Sequence, residues 1–188
     1  MVKIYTGVGD DGTTGLLFGG RLPKDSTRIE AAGTLDEAQA LLGVVRAESE
    51  PGSELDELLI ALERDLWVLM AEVATAPENH RKLTDGKNRV TAAMVQGLEA
   101  KIDELAARTD VPAQFVVPGE NRIAALLDVA RTVVRRGERH VVSLGDDGGS
   151  QVVPYLNRLS SLLWTMARWQ EGEHRVLARP ARTRPSAR

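Results

Sequence analysis

The sequence predicts an all-α protein, a five-helix up-down bundle with a glycine-rich loop ahead of it. Three observations carry that prediction. Apolar residues recur three and four positions apart from Thr34 to about Glu171, which is the spacing of one helix face. Prolines and glycines divide this pattern into five stretches with mostly short connections, as in an antiparallel bundle. Hydrophobic residues form 43% of the chain and aromatic ones only 4%, so leucine, alanine and valine must supply the core. At 188 residues this is one domain, read as residues 1–174, with a basic tail over 175–188 predicted to be disordered.

The first element is the loop, "YTGVGDDGTTGLLFGG", Tyr5 to Gly20. Glycine permits positive φ and close backbone approach, and successive free N–H groups make a concavity suited to an anion. Gly7, Gly9 and Gly12 spell G-x-G-x-x-G, but that fingerprint needs a strand before it and a helix after it, and Gly15, Gly19 and Gly20 stand where the helix should be. A P-loop would need a lysine after Gly12, and there is none. A flexible or hairpin-forming terminus is the plainer alternative. Asp10 is awkward beside bare phosphate but natural if Mg²⁺ lies between carboxylate and phosphate.

Arg28 to Ala32 is read as briefly extended, and the first helix as starting at the capping box "TLDE", Thr34 to Glu37. Pro51 and Gly52 end it, and Ser53 caps the second helix, which runs until Pro77. A polar loop, "ENHRKLTDGKNR", leads to a third helix from Thr91 to about Thr109. Asn121 caps the fourth, which reaches about Leu144, and Pro154 suits the first turn of the fifth.

Several function classes drop out. A net charge of −3 gives no general case for nucleic acid or membrane binding. No apolar run approaches the ~20 residues of a membrane span, and no signal peptide is recognisable, so a cytoplasmic location is expected. Zero cysteines remove disulfides, thiolate metal sites and a cysteine nucleophile. A carboxylate-bridged di-iron bundle needs two Glu-x-x-His pairs, and only Glu171 with His174 qualifies. No metal-ligating residues are assigned.

The fourth helix, "NRIAALLDVARTVVRRGERHVV", is the informative one. Ile123, Leu127, Ala130, Val134 and Val141 share a face at 100° per residue, and Arg131, Arg135 and Glu138 run along its border. Arg136, Arg139 and His140 turn further outward. Guanidinium groups half-buried beside a core stripe need carboxylates or phosphate oxygens as partners, so Arg131 and Arg135 are candidate anion ligands. Asn157 stands among apolar neighbours just after the first turn of the fifth helix, where a buried amide needs a partner.

Taken together, "KIYTGVGDDGTTGLLFGG", "RIEAAGTLDEAQALLG", "VARTVVRRGERHVV" and "YLNRLSSLLW" resemble, in order, the motifs of the PduO-type ATP:cob(I)alamin adenosyltransferases, over about residues 2 to 170. The resemblance implies a homotrimeric helical bundle that binds ATP and corrinoid where subunits meet, and transfers the 5′-deoxyadenosyl group of ATP to cobalt with Mg²⁺ assisting. It implies that Thr6, Gly7, Val8, Gly9, Asp10, Asp11, Gly12, Thr13 and Thr14 wrap the triphosphate, with Lys24 reaching the nucleotide. Arg131, Arg135, Arg136 and Glu138 match the family's helix-four nucleotide site, and Asn157 its helix-five asparagine. Asp36 matches an aspartate that pairs with Arg131 across a subunit boundary, and Phe115 an aromatic that crowds the lower face of the corrin. Cob(I)alamin is itself the nucleophile, so the protein's tasks are alignment and charge. A cob(II)alamin reductase and an adenosylcobalamin-dependent enzyme are the implied partners. The sequence departs from the family at Gly7, where lysine or arginine is common, at Glu120-Asn121 in "PGEN", and at Ser161 in "RLSS".

Overall fold

The computed structural model describes residues 4–145, 149–172 and 175–178. Two short strands, β1 (Thr13–Gly15) and β2 (Arg21–Pro23), pair antiparallel with Thr14 opposite Leu22. Five helices follow: α1 (Thr27–Ala47), α2 (Glu54–Val73), α3 (Ala92–Ala107), α4 (Arg122–Val142) and α5 (Val152–Glu171). The bundle is built around α4, which packs against α1 on one side and α5 on the other, while α2 lies on α1 and α3 on α5. Leu35, Leu42, Leu59, Leu66, Leu127, Leu156 and Leu159 are fully buried, so the core is the aliphatic one that the composition requires.

The predicted caps at Ser53 and Asn121 hold, and Thr91, expected as the first residue of the third helix, is its cap. Ser53 accepts from Asp56 N–H, Thr91 from Met94 N–H and Asn121 from Ala124 N–H, each satisfying one of the free donors of a first turn. Pro154 lies in the first turn of α5, where a missing N–H costs nothing.

The first helix corrects the sequence reading. Arg28 to Ala32 is helical, and α1 begins about two turns before the supposed capping box. Thr34 is buried inside the helix, and its hydroxyl reaches back to Glu30 O at 2.9 Å instead of capping. A threonine three residues before a glutamate also occurs mid-helix; the actual N-cap is Ser26, after the turn that follows β2. Within the expected polar loop after α2, Pro77–Lys82 forms a short 3₁₀ helix. The predicted boundary at residue 174 is also crossed. Residues 175–178, assigned by sequence to a disordered tail, pair with the segment before α4: Val117 N–H donates to Val176 O and Ala178 N–H to Phe115 O, both at 2.8 Å. Residues 179–188 of that predicted tail lie outside the described residues.

Candidate functional site

The glycine loop leads into a strand, not a helix, as its context predicted. Gly7 and Gly12 take φ of +72° and +82°, which glycine adopts without strain. Asp11 closes the loop internally by accepting from both the backbone N–H (2.9 Å) and the hydroxyl (2.8 Å) of Thr13. Those two bonds, followed by the charges of Arg21 and Lys24, hold its carboxyl below the usual carboxylate range. Lys24 lies over the loop: a Cβ on Gly9 would meet its Nζ at 3.2 Å. Asp10 is exposed, and no hydrogen bond engages its carboxylate among the described residues.

Sequence reasoning missed Arg21. Its guanidinium donates to Val8 O at 2.9 Å and to Thr13 Oγ1 at 2.9 and 2.6 Å, spanning the loop from one side. The available signal was a second cation three residues before Lys24. The hairpin tip is fastened elsewhere, by Leu17 N–H to Ala74 O at 2.9 Å. Between Thr6 and Thr14 the loop's hydrogen bonds outside the strand pairing run to its own residues and to Arg21 and Lys24, and none reaches the arginines of α4 among the described residues.

Those arginines meet at a second feature. Phe115, Arg131 and Arg135 line one cavity of about 440 Å³ between α3, α4 and α5, together with Ile102, Trp164 and Ser161. Phe115 is 83% exposed, and its backbone is fixed by the pairing with residues 176–178. Arg131 Nε donates to Asp128 Oδ1 at 2.9 Å; its two terminal nitrogens have no hydrogen-bond partner among the described residues. Arg135 is exposed, not half-buried as its place beside the core stripe suggested, because the cavity opens that side of α4 to solvent. Trp164 and Ile102 went unnoticed because each fits an ordinary core pattern on its own helix.

Glu138 and Asn157 come together, with Asn157 Nδ2 donating to Glu138 Oε1 at 3.0 Å and Arg158 donating to Asn157 Oδ1 at 2.7 Å. The amide is therefore engaged at both its nitrogen and its oxygen, and it links α5 to α4. Two residues expected to turn outward instead face α1: Arg136 pairs with Glu37, and His140 Nδ1 meets Thr34 Oγ1 at 3.0 Å. The Thr34 hydroxyl has one proton and lies within reach of both Glu30 O and His140 Nδ1, so it donates to one of them and can accept from the ring if that one is Glu30 O. Asp36 is exposed on α1 and makes no contact with Arg131 within the chain. Among the described residues no three His, Asp or Glu side chains gather as a metal site; Glu171 is ion-paired with Arg168, and His174 lies outside the described residues.

The chain matches the cobalamin adenosyltransferase family over residues 4–170. It is 41% identical to a corrinoid adenosyltransferase of Citrobacter freundii over 173 residues, covering 91% of this chain and 96% of that one. It is 38% identical to a corrinoid adenosyltransferase of Bacillus subtilis over 172 residues, covering 89% and 86%. Its fold is similar to a phenylalanine-to-histidine variant of a PduO-type ATP:corrinoid adenosyltransferase from Lactobacillus reuteri, complexed with cobalamin and ATP, with a TM-score of 0.83, 28% identity and coverage of 95% and 97%.

Proposed function

The chain belongs to the cobalamin adenosyltransferase family, and from that premise we propose that the cavity between α3, α4 and α5 is where it transfers the 5′-deoxyadenosyl group of ATP to the cobalt of cob(I)alamin. One observation carries the assignment. Phe115, Arg131 and Arg135 come from two separate segments, and they line the same cavity, which combines apolar side chains such as Ile102 and Trp164 with two guanidinium groups. A corrin needs the first, and a departing triphosphate needs the second.

In the reaction, cobalt(I) supplies an electron pair to C5′ of the ribose. The Co–C bond forms as the C5′–O bond breaks, and inorganic triphosphate leaves with that bonding pair. No protein nucleophile or base is required, so the residues act by orientation and by charge already in place. Arg131 and Arg135 stabilise the triphosphate as it gains charge. The loop from Thr6 to Thr14, with Lys24, encloses the phosphates. Glu138, oriented by Asn157, and Arg136, held by Glu37, border the nucleotide. Phe115 presses on the lower face of the corrin and favours loss of the lower axial ligand, which eases reduction of Co(II).

Mg²⁺ fits the residues present as an ion carried by ATP, since Mg²⁺ commonly takes one or two carboxylates with substrate phosphates and water. Asp10 would hold it, because its carboxylate is exposed on the loop and otherwise unengaged. It would neutralise phosphate charge. The reading extends to a homotrimer in which Asp36 of one chain meets Arg131 of the next; the open terminal nitrogens of Arg131 and the exposed Asp36 support it. It also extends to a cob(II)alamin reductase upstream, an adenosylcobalamin-dependent enzyme downstream, and a cytoplasmic setting where ATP and reductant coexist.

The test is incubation with ATP, Mg²⁺ and chemically reduced cobalamin, following the corrin absorbance change on Co–C bond formation and the release of triphosphate. Both should appear in equal amounts. Retention of ATP with neither product would identify a nucleotide-binding protein instead.

A further inference from the structure

We propose that Arg168 is a positioning residue for this reaction, acting through Asp128 to aim the guanidinium of Arg131 into the cavity. The inference rests on the assignment of Arg131 to the site. Arg168 is only 1% exposed and is among the largest fully buried side chains of the chain, in the middle of an aliphatic core. A buried guanidinium is expensive unless its donors are matched by carboxylates. Arg168 Nη2 donates to Asp128 Oδ2 and to Glu171 Oε1, each at 2.7 Å, and its Nε lies 2.7 Å from Glu171 Oε2. Asp128, itself 5% exposed, uses its other oxygen to accept from Arg131 Nε at 2.9 Å.

The result is a line of alternating charge, Glu171, Arg168, Asp128, Arg131, running from the interior of α5 through α4 to the cavity. Asp128 has both oxygens anchored, one by Arg131 and one by Arg168, so it cannot rotate without breaking a buried contact. With Nε held by Asp128, the plane of Arg131 is set and its terminal nitrogens face outward from the network. Arg168 reaches the cavity a second way: its Cζ lies 5.5 Å from the ring of Trp164, which lines that cavity. One buried cation thus supports a charged wall and an aromatic wall of the same site without touching its contents. Stability alone gives weak reason for such a network, because well-packed apolar residues can often replace a buried ion pair at no cost. Orientation gives a better one.

The test compares Arg168→Lys in two backgrounds, native and Arg131→Lys, using chemically reduced cobalamin and measuring kcat, KM for ATP and thermal melting. Lysine keeps the charge but cannot span Asp128 and Glu171 with a planar fork. In the native background kcat/KM for ATP should fall by about tenfold or more; in the Arg131→Lys background, where the oriented fork is already gone, the further fall should be under about threefold. Equal falls in both backgrounds, or no fall in either, would overturn the proposal. If Arg168→Lys does not fold, Glu171→Gln carries the same comparison, since it keeps shape while loosening the same line. A wild-type protein without adenosylation would count against the function; calorimetric ATP affinity across the same four proteins would then decide the positioning role by the same criterion.

Discussion

The Arg21 guanidinium lies along the glycine loop, joining Val8 O to Thr13 Oγ1, while Asp11 accepts from the same threonine and lies 3.6 Å from Arg21 Nη2. A loop with this much glycine loses considerable freedom on binding, and a cation that holds it in shape beforehand reduces that loss. These contacts are solvent-exposed, which moderates their strength. Arg21→Ala should raise KM for ATP roughly fivefold and leave kcat nearly unchanged. A fall in kcat at constant KM would mean that Arg21 acts on the chemical step instead. Tyr155 makes a different residue-scale case. It is fully buried and donates to Asp65 at 2.7 Å; burial, then the adjacent carboxylate, pushes its phenol far above the ordinary tyrosine range. The folded state therefore keeps a proton that the unfolded chain releases above about pH 10, so stability declines as pH rises from there. In an alkaline titration, at most one of the two tyrosines should form tyrosinate before helical circular dichroism is lost. Two tyrosinates in a folded protein would contradict this environment.

Helix contacts set the frame in which those residues work, and α4 is central because it packs on both α1 and α5. At Gly137 α4 comes close to α1: a Cβ there would lie 2.9 Å from Leu35 Cδ2, and Leu35 is fully buried. Overpacking of this kind costs about 1–3 kcal/mol, against at most ~1 kcal/mol gained in helix propensity. Gly137→Ala should thus lower Tm by roughly 2–8 °C. An unchanged or higher Tm would show that α1 and α4 can separate freely. The same elements show what sequence patterns can reveal. Ser53 and Asn121 were readable as caps because side chain and backbone partner are three residues apart. The start of α1 was not, because Thr34 and Glu37 spell a capping box inside a continuing helix, and only tertiary burial of Ala31 and Leu35 distinguishes the two. The pairing of Phe115 with residues 176–178 joins distant segments through backbone atoms, which leave no side-chain signature.

At the scale of the whole molecule, the glycine loop and the arginine stripe were legible as chemistry, but their spatial relation was not. Arg131 and Arg135 share a cavity with Phe115, whereas neither the loop nor Asp36 lines it within one chain. The proposed trimer supplies a reason for that separation, and sedimentation at micromolar concentration should give about three times 20.4 kDa. The buried line through Arg168 escaped the sequence because an arginine at helical spacing among leucines reads as a surface residue until the packing of α5 on α4 is known. The most direct measurement fills the cavity without touching its charged groups. Ala106 is an exposed residue on its wall, so Ala106→Trp should place an indole in the space while leaving the core intact. Adenosylation of chemically reduced cobalamin should then fall at least tenfold, with Tm and calorimetric ATP affinity near the wild-type values. Undiminished adenosylation by that variant would contradict the account, because the corrin would have to sit elsewhere.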